Sequence, residues 1–494
     1  MLELIGILLI VGLPLLVISW IAKNYTGFAG SSLFKTAFLF LLSGDRKQKD
    51  SAKFLDKADS KKLINPFNRG LLIDGSFRRI SEQNSFEHLG IVSRTGGGKS
   101  SRFVIPNLLT LDDCSIVVTD LSGELFKSTS GYLASKGFDI KAINLGDTKA
   151  SLGYNPLSKI ESYTDASEIS HILVKSANPN EKDTFWTKGA ERIITILIEC
   201  LRSTKNERHI NLANLKHLLN NFSEDGSPIE DFIMHKAADN IFEEYKGFRT
   251  GNTKVMLTFI SVAINSLDTL NDPNIASITS INDINFADLR KRKTALYIIV
   301  PQEKLQFYSF ILNLFYTQLF NYCLGGLEKN RSLPIYFLLD EFGHLAIPNF
   351  STIITTIRKY KVSISVILQS ISQLETRYGK AEANTIFNGG LASKIFYSGG
   401  DLETVSMLEK ILGKVKYSTK TLSGDVSRRE ENLMNADRIR TLEDNEAIYL
   451  FANKEPVLMK VEPYYRIGRF KSRSKMKPFN LKRASRQEIQ YVNL

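Results

Sequence analysis

The fold is decided by one stretch, His88-Leu-Gly-Ile-Val-Ser-Arg-Thr-Gly-Gly-Gly-Lys-Ser100. Residues His88 to Val92 read as a short buried strand. Ser93 to Ser100 follow at once as a glycine loop, and Arg102 to Leu109 continue as a helix that Pro106 perturbs. A strand that feeds through a glycine loop into a helix is the setting in which backbone cradles phosphate. Gly96, Gly97 and Gly98 let N–H groups close on phosphate oxygens because no Cβ stands in the way. The helix start adds partial positive charge. Lys99 then reaches the β and γ phosphates and the Ser100 hydroxyl ligates Mg²⁺, with Thr95 and Ser101 as further nucleotide contacts. The usual pattern opens with glycine, and here that position is Ser93. It stands at the start of the loop, away from the closest phosphate approach, so the change should be tolerated.

A second stretch completes the chemistry. Leu333 to Leu339 is an apolar run that ends in Asp340-Glu341. Such a run suits a buried parallel strand, and open α/β sheets place their ligands at the C-terminal ends of strands. Asp340 is expected to hold Mg²⁺ and Glu341 to polarise the attacking water. Lys361 to Leu368 alternates Val and Ile with Ser and ends in Gln369, whose amide is expected near the γ-phosphate. Arg358, just before that strand, is expected to reach a neighbouring subunit's ATP as an arginine finger.

Further strands are expected at Ser115–Thr119, Thr294–Val300, Leu391–Tyr397 and Glu446–Phe451, with helical patterns between them, which predicts a mostly parallel α/β sheet. About Glu161 to Ile281 the texture changes. Ile193, Ile194, Leu197, Ile198 and Leu201 recur at helical spacing and no alternating strand stands out, so an all-α domain is expected to be inserted there. The expected organisation is an anchor (1–25), a juxtamembrane segment (26–64), a nucleotide-binding domain in two parts (65–160 and 282–465) around the helical insert (161–281), and a basic tail (466–494).

The anchor is read from Leu4 to Ala22, 19 residues without a charge. At 1.5 Å per residue this nearly crosses a hydrocarbon core of about 30 Å. Lys23, Lys35, Arg46, Lys47 and Lys49 follow it, so the bulk of the chain is expected on the cytoplasmic side of its membrane. The apolar stretch Phe28 to Leu42, broken by Lys35, reads as an interfacial helix. The 494 residues carry a net charge of +12, with nine Lys or Arg and no acid between Arg466 and Arg486. That surplus calls for a polyanionic neighbour without choosing among nucleic acid, lipid and acidic protein. Cys114, Cys200 and Cys323 form no CxxC pair, which excludes a disulfide framework or zinc site read from spacing.

With these motifs on the page, the chain resembles the type IV secretion system coupling proteins, the VirD4/TraG/TraD group of conjugative ATPases. The resemblance runs from about residue 65 to 460. It rests on Ser93–Ser100, Thr119-Asp-Leu-Ser-Gly-Glu-Leu125, Asn155-Pro-Leu157, Phe185-Trp186, Leu339-Asp-Glu-Phe-Gly-His-Leu345, and Gln369-Ser-Ile-Ser-Gln-Leu374 with Tyr378-Gly379. Ser122 stands where the family usually has Lys, and one membrane span is seen where the family often has two. The resemblance implies a RecA-like P-loop NTPase, a homo-hexamer around a channel with ATP and Mg²⁺ at subunit boundaries, and an all-α domain facing substrate. It implies DNA, a relaxase or effector protein, and secretion channel components as partners. Two other readings stay open: a protein-export or assembly ATPase of the same superfamily, and a non-catalytic, ATP-dependent substrate receptor.

Overall fold

A computed structural model of the chain describes residues 46–47, 50–179, 181, 183–222, 228–249, 251–327, 332–420, 426–482 and 488–494. The stretches Leu4–Ala22 and Phe28–Leu42 lie outside these residues. Among the described residues no helix is long and apolar enough to cross a membrane.

The strands are β1 (Arg46–Lys47), β2 (Leu89–Val92), β3 (Ser115–Asp120), β4 (Asp139–Asn144), β5 (Thr294–Ile299), β6 (Ile335–Leu339), β7 (Val362–Leu368), β8 (Ser393–Tyr397), β9 (Lys414–Lys420), β10 (Val426–Asn432), β11 (Glu446–Phe451) and β12 (Val457–Lys460). One sheet has the order β12-β11-β8-β2-β7-β6-β3-β5-β4. From β8 to β4 all neighbours are parallel. β11 pairs antiparallel with β8, and β12 with β11.

Every residue of β3, β5, β6 and β7 is buried. A parallel sheet of this kind needs cover on both faces, and successive side chains supply both. Ile116 and Val118 of β3 pack with Leu125 and Leu133 of the helix Glu124–Ser135. Thr119, on the opposite face, meets Tyr316 of the helix Ser309–Leu324 at 2.6 Å between hydroxyls. Phe320 of that helix lies 4.8 Å from Phe337 of β6, ring to ring.

Between β4 and β5 the long elements are all helices, from Tyr163–Ala177 to Pro273–Ile278. Ser162 and Asp165 cap the first reciprocally, an arrangement that satisfies two otherwise orphaned N–H groups. The central helix Thr184–Ser203 buries Ile193, Ile194, Leu197, Ile198 and Leu201. Phe185 and Trp186 gather on Phe259, with centroids 5.2 and 5.8 Å away. Gly189 lets that ring in, since a Cβ there would stand 2.2 Å from it.

Two features depart from the expected organisation. The basic segment from Arg466 is not a free tail where it is described. Phe470 of the helix Gly468–Ser474 is fully buried. The Phe479 N–H donates to Ser130 Oγ at 3.0 Å. Val492 is buried too, and its N–H donates to Asn214 Oδ1 at 2.8 Å. The charge count hid these isolated apolar anchors. Second, the nucleotide-binding part is interrupted. The chain forms two compact units, the described residues of the smaller falling within 46–54 and 406–436. Its described part contains the antiparallel sheet β1-β9-β10. Ser51 Oγ and Lys416 bond twice there, each time at 3.0 Å. β9 and β10 carry Lys, Arg and Glu at many positions, so no hydrophobic run announces them.

Candidate active site at the ends of β2, β6 and β7

β7 lies between β2 and β6. Val92 is in register with Leu368, and Leu339 with Val366. The C-terminal ends of these three parallel strands therefore bring the glycine loop, the acidic pair and Gln369 together.

The loop takes its shape from its glycines. Gly96 has φ 75° and Gly98 φ 83°, in the left-handed region that side chains disfavour. Gly97 is needed for a different reason: a Cβ there would stand 2.1 Å from Ser93 Oγ. Ser93 is fully buried, and its N–H donates to Leu368 O at 3.1 Å. The hydroxyl is thus accommodated because position 97 lacks a side chain. After Lys99 the chain winds wide, with a π-helical turn at Ser100–Val104 before Ile105–Leu108. Pro106 has no N–H to give, and its ring favours such a distortion.

Lys99 Nζ lies 3.3 Å from Glu341 Oε1 and 3.3 Å from Ser93 O. Ser100 Oγ donates to Asp340 Oδ2 at 3.0 Å. Gln369 Nε2 donates to Glu341 Oε2 at 2.9 Å, and Thr95 Oγ1 donates to Gln369 Oε1 at 3.0 Å. Ser101 Oγ donates to Gly98 O at 3.2 Å. Glu341 itself sits at φ 52°, an uncommon conformation for a non-glycine residue and one that recurs at functional sites. Burial, and then the neighbouring Glu341 charge, push the Asp340 carboxyl up to about 6. A divalent cation would reverse that pressure. The hydroxyl and carboxylate paired at Ser100 and Asp340 are hard oxygen donors, the chemistry Mg²⁺ prefers when it keeps waters and phosphate oxygens as its other ligands. Among the described residues no three His, Cys, Asp or Glu side chains gather as a metal cage.

Arg358 is not part of this cluster. It is exposed, in the turn Ile357–Tyr360 that precedes β7. Gln369 follows the far end of that strand, about 23 Å away at about 3.3 Å per residue. Asp120 is also occupied elsewhere: its Oδ2 accepts from the Phe126 N–H at 2.8 Å, fixing the start of the helix Glu124–Ser135. Sequence reasoning assigned no role to Gln373. Its Oε1 accepts the Gln369 N–H at 3.0 Å, and Gly343 leaves room for it, a Cβ there falling 2.7 Å from the same oxygen. The i, i+4 spacing of Gln369 and Gln373 was the available signal.

A parallel sheet with its phosphate loop and acidic strand separated by one strand defines a RecA-like P-loop NTPase. The family model described as Type IV secretory system Conjugative DNA transfer matches residues 46–487, and the chain belongs to that family. Protein VirD4 of Rhizobium radiobacter is 27% identical over 423 residues, 80% of this chain and 59% of the relative. Conjugal transfer protein TraG of the same organism is 24% identical over 373 residues, 71% of this chain and 56% of the relative. The chain thus spans about three fifths of the length of the curated relatives it matches. Among solved structures, plasmid coupling protein TrwB with a non-hydrolysable ATP analogue has TM-score 0.65 at 18% identity, covering 85% of this chain and 96% of that chain. TrwB with ADP and Mg²⁺ has TM-score 0.66 at 17% identity, with 85% and 95% covered. At these identities the likeness is one of fold.

Proposed function

We propose that this protein is a membrane-anchored coupling ATPase that recruits DNA with its relaxase, or a protein substrate, and drives it into a type IV secretion channel. The observation that carries the reading is the double contact of the loop with the acidic pair, Ser100 on Asp340 and Lys99 on Glu341. Gly96 to Gly98 and Lys99 bind the triphosphate, with Thr95 and Ser101 beside them. Ser100 and Asp340 would hold Mg²⁺, which would supply charge neutralisation to the triphosphate.

Lys99 is paired with Glu341. Arriving phosphate competes for Lys99, and Glu341 is then left to accept a proton from water. Water adds to the γ-phosphorus as the bond to the β-bridging oxygen breaks, giving ADP and inorganic phosphate. Gln369, joined to both Thr95 and Glu341, registers the loss of the γ-phosphate. Arg358, too far from its own loop, completes the site of the next subunit in a homo-hexamer. Leu4–Ala22 anchors the chain in the bacterial inner membrane with its bulk in the cytoplasm.

The test is ATP hydrolysis by the full chain in detergent, across protein concentrations and with or without single-stranded DNA. The specific rate should rise with protein concentration and again with DNA, and DNA affinity should fall steeply with salt. A rate independent of both would leave an ATP-dependent receptor and remove the motor.

A further inference from the structure

A cluster of cationic side chains lies at the end of the sheet opposite the glycine loop. Thr110 to Asp112 precede β3 and Lys136 precedes β4, so both belong to the N-terminal ends of strands whose C-terminal ends face the nucleotide side. There a cavity of about 330 Å³ is lined by Arg79, Lys136, Arg469 and Arg473, with Phe77 and Tyr132 among its walls. From this geometry we propose that the pocket binds a phosphate group presented by an anionic phospholipid headgroup.

The three arginines are held in place by backbone carbonyls. Arg79 donates to Gly70 O at 2.9 Å and to Thr110 O at 3.3 Å. Arg473 donates to Leu109 O at 2.7 Å and lies over the Tyr132 ring at 4.7 Å. Arg469 donates to Ser76 O. A guanidinium has five N–H donors, so these backbone bonds orient each group and leave donors for a ligand. Among the described residues none of the four cations forms an ion pair. The pocket's carboxylate, Asp112, is taken by Lys293 at 2.8 Å. Burial first, and then the Arg469 charge, make Arg79 harder to keep protonated. Packing like charges together has a cost that a bound phosphate anion relieves, and arginine forks suit phosphate oxygens.

The rim favours a lipid source. Phe67 is 93% exposed and Phe77 48% exposed, and both belong to the stretch that follows the helix Lys57–Leu63. Aromatic side chains beside a cationic pocket are the composition of an interfacial anchor. Some forty residues separate Pro66, on the pocket wall, from the apolar stretch ending at Ala22. Anionic leaflets draw clustered Lys and Arg. This part of the argument rests on the anchor reading given above.

The test uses the full chain in detergent with a non-hydrolysable ATP analogue filling the nucleotide site. Native mass spectrometry compares retention of phosphatidylglycerol and phosphatidylcholine, and thermal unfolding is followed with millimolar inorganic phosphate against chloride at equal ionic strength. The wild type should retain phosphatidylglycerol several-fold better and melt higher with phosphate. Both effects should vanish in Lys136→Glu/Arg469→Glu, and in the milder Lys136→Gln/Arg469→Gln, while ATP hydrolysis persists. Equal retention of the two lipids overturns the proposal. A phosphate shift without lipid preference assigns the pocket to free phosphate and also overturns it. Loss of short-duplex DNA binding in the variants with lipid preference intact makes this a nucleic-acid face instead. Carbonate extraction of membranes tests the anchor separately: release of the chain would sink that reading while the phosphate measurement still stands.

Discussion

Gln369 joins Glu341 to the phosphate loop: its Nε2 donates to Glu341 Oε2 at 2.9 Å while its Oε1 accepts from Thr95 Oγ1 at 3.0 Å. One amide thus spans the ends of three strands, and Gln373 holds its backbone N–H at 3.0 Å. Beside the Lys99–Glu341 contact at 3.3 Å, this amide is a second link between the loop and the acid.

Gln369→Leu keeps the volume and removes both bonds. Turnover should fall about 100-fold, the scale for losing one oriented polar group in an active site, while nucleotide affinity changes little. Single-turnover hydrolysis measured beside equilibrium binding separates the two. An equal loss in binding would make Gln369 a ligand group and not a coupling group.

Lys99→Ala should abolish detectable hydrolysis and weaken ATP binding by about 100-fold or more. It should also lower stability, because Asp340 and Glu341 are left side by side without their cation. Breaking a buried pair costs about 3 kcal/mol, and the Lys99 and Glu341 side chains are only 7% and 14% exposed. Calorimetry of the nucleotide-free protein should show the lower melting temperature.

Gly97→Ala should destabilise the loop even though no positive φ forbids a side chain there, because the new methyl meets Ser93 Oγ at 2.1 Å. Adding Ser93→Gly should recover most of the lost melting temperature. Since Arg94 O also lies 3.0 Å from that methyl, recovery should be incomplete. Additive losses in the double variant would show that the serine and the glycine are independent.

His88 is buried, and burial pushes its imidazole down to about 3. Its Nδ1 accepts the Ile364 N–H at 3.1 Å, which needs the neutral ring. The unfolded chain takes up the proton near pH 6.5, so stability is complete above that pH and falls as pH drops towards 3. At pH 5 the loss is about 2 kcal/mol. Asparagine tolerates the φ of 63° at this position. Urea unfolding from pH 7 to 5 should therefore be flatter in His88→Asn than in the wild type.

The phosphate loop and the acidic strand were legible because their chemistry is local. A glycine run, a lysine and two strand-end acids stand out within a few residues. The helical insert was legible through the spacing of Ile193, Ile194, Leu197 and Ile198. Of the sheet order, only the Gln369 strand beside the acidic strand was legible; nothing local says that β2 flanks β7 on its other side, a pairing across more than two hundred residues. The same reason hid the β1-β9-β10 sheet, whose charged strands bury little. What the segment after Arg466 packs against was not legible, because its charge outweighs a few apolar residues, Phe470 and Val492 among them.

The central claim is that Glu341 activates water at a site built by Lys99, Ser100 and Asp340. It is tested most directly by measuring ATP binding and ATP turnover on Glu341→Gln in parallel. The account predicts turnover lower by about 1000-fold, with ATP bound several-fold more tightly because Lys99 no longer has a carboxylate to hold. Turnover unchanged from the wild type would contradict it.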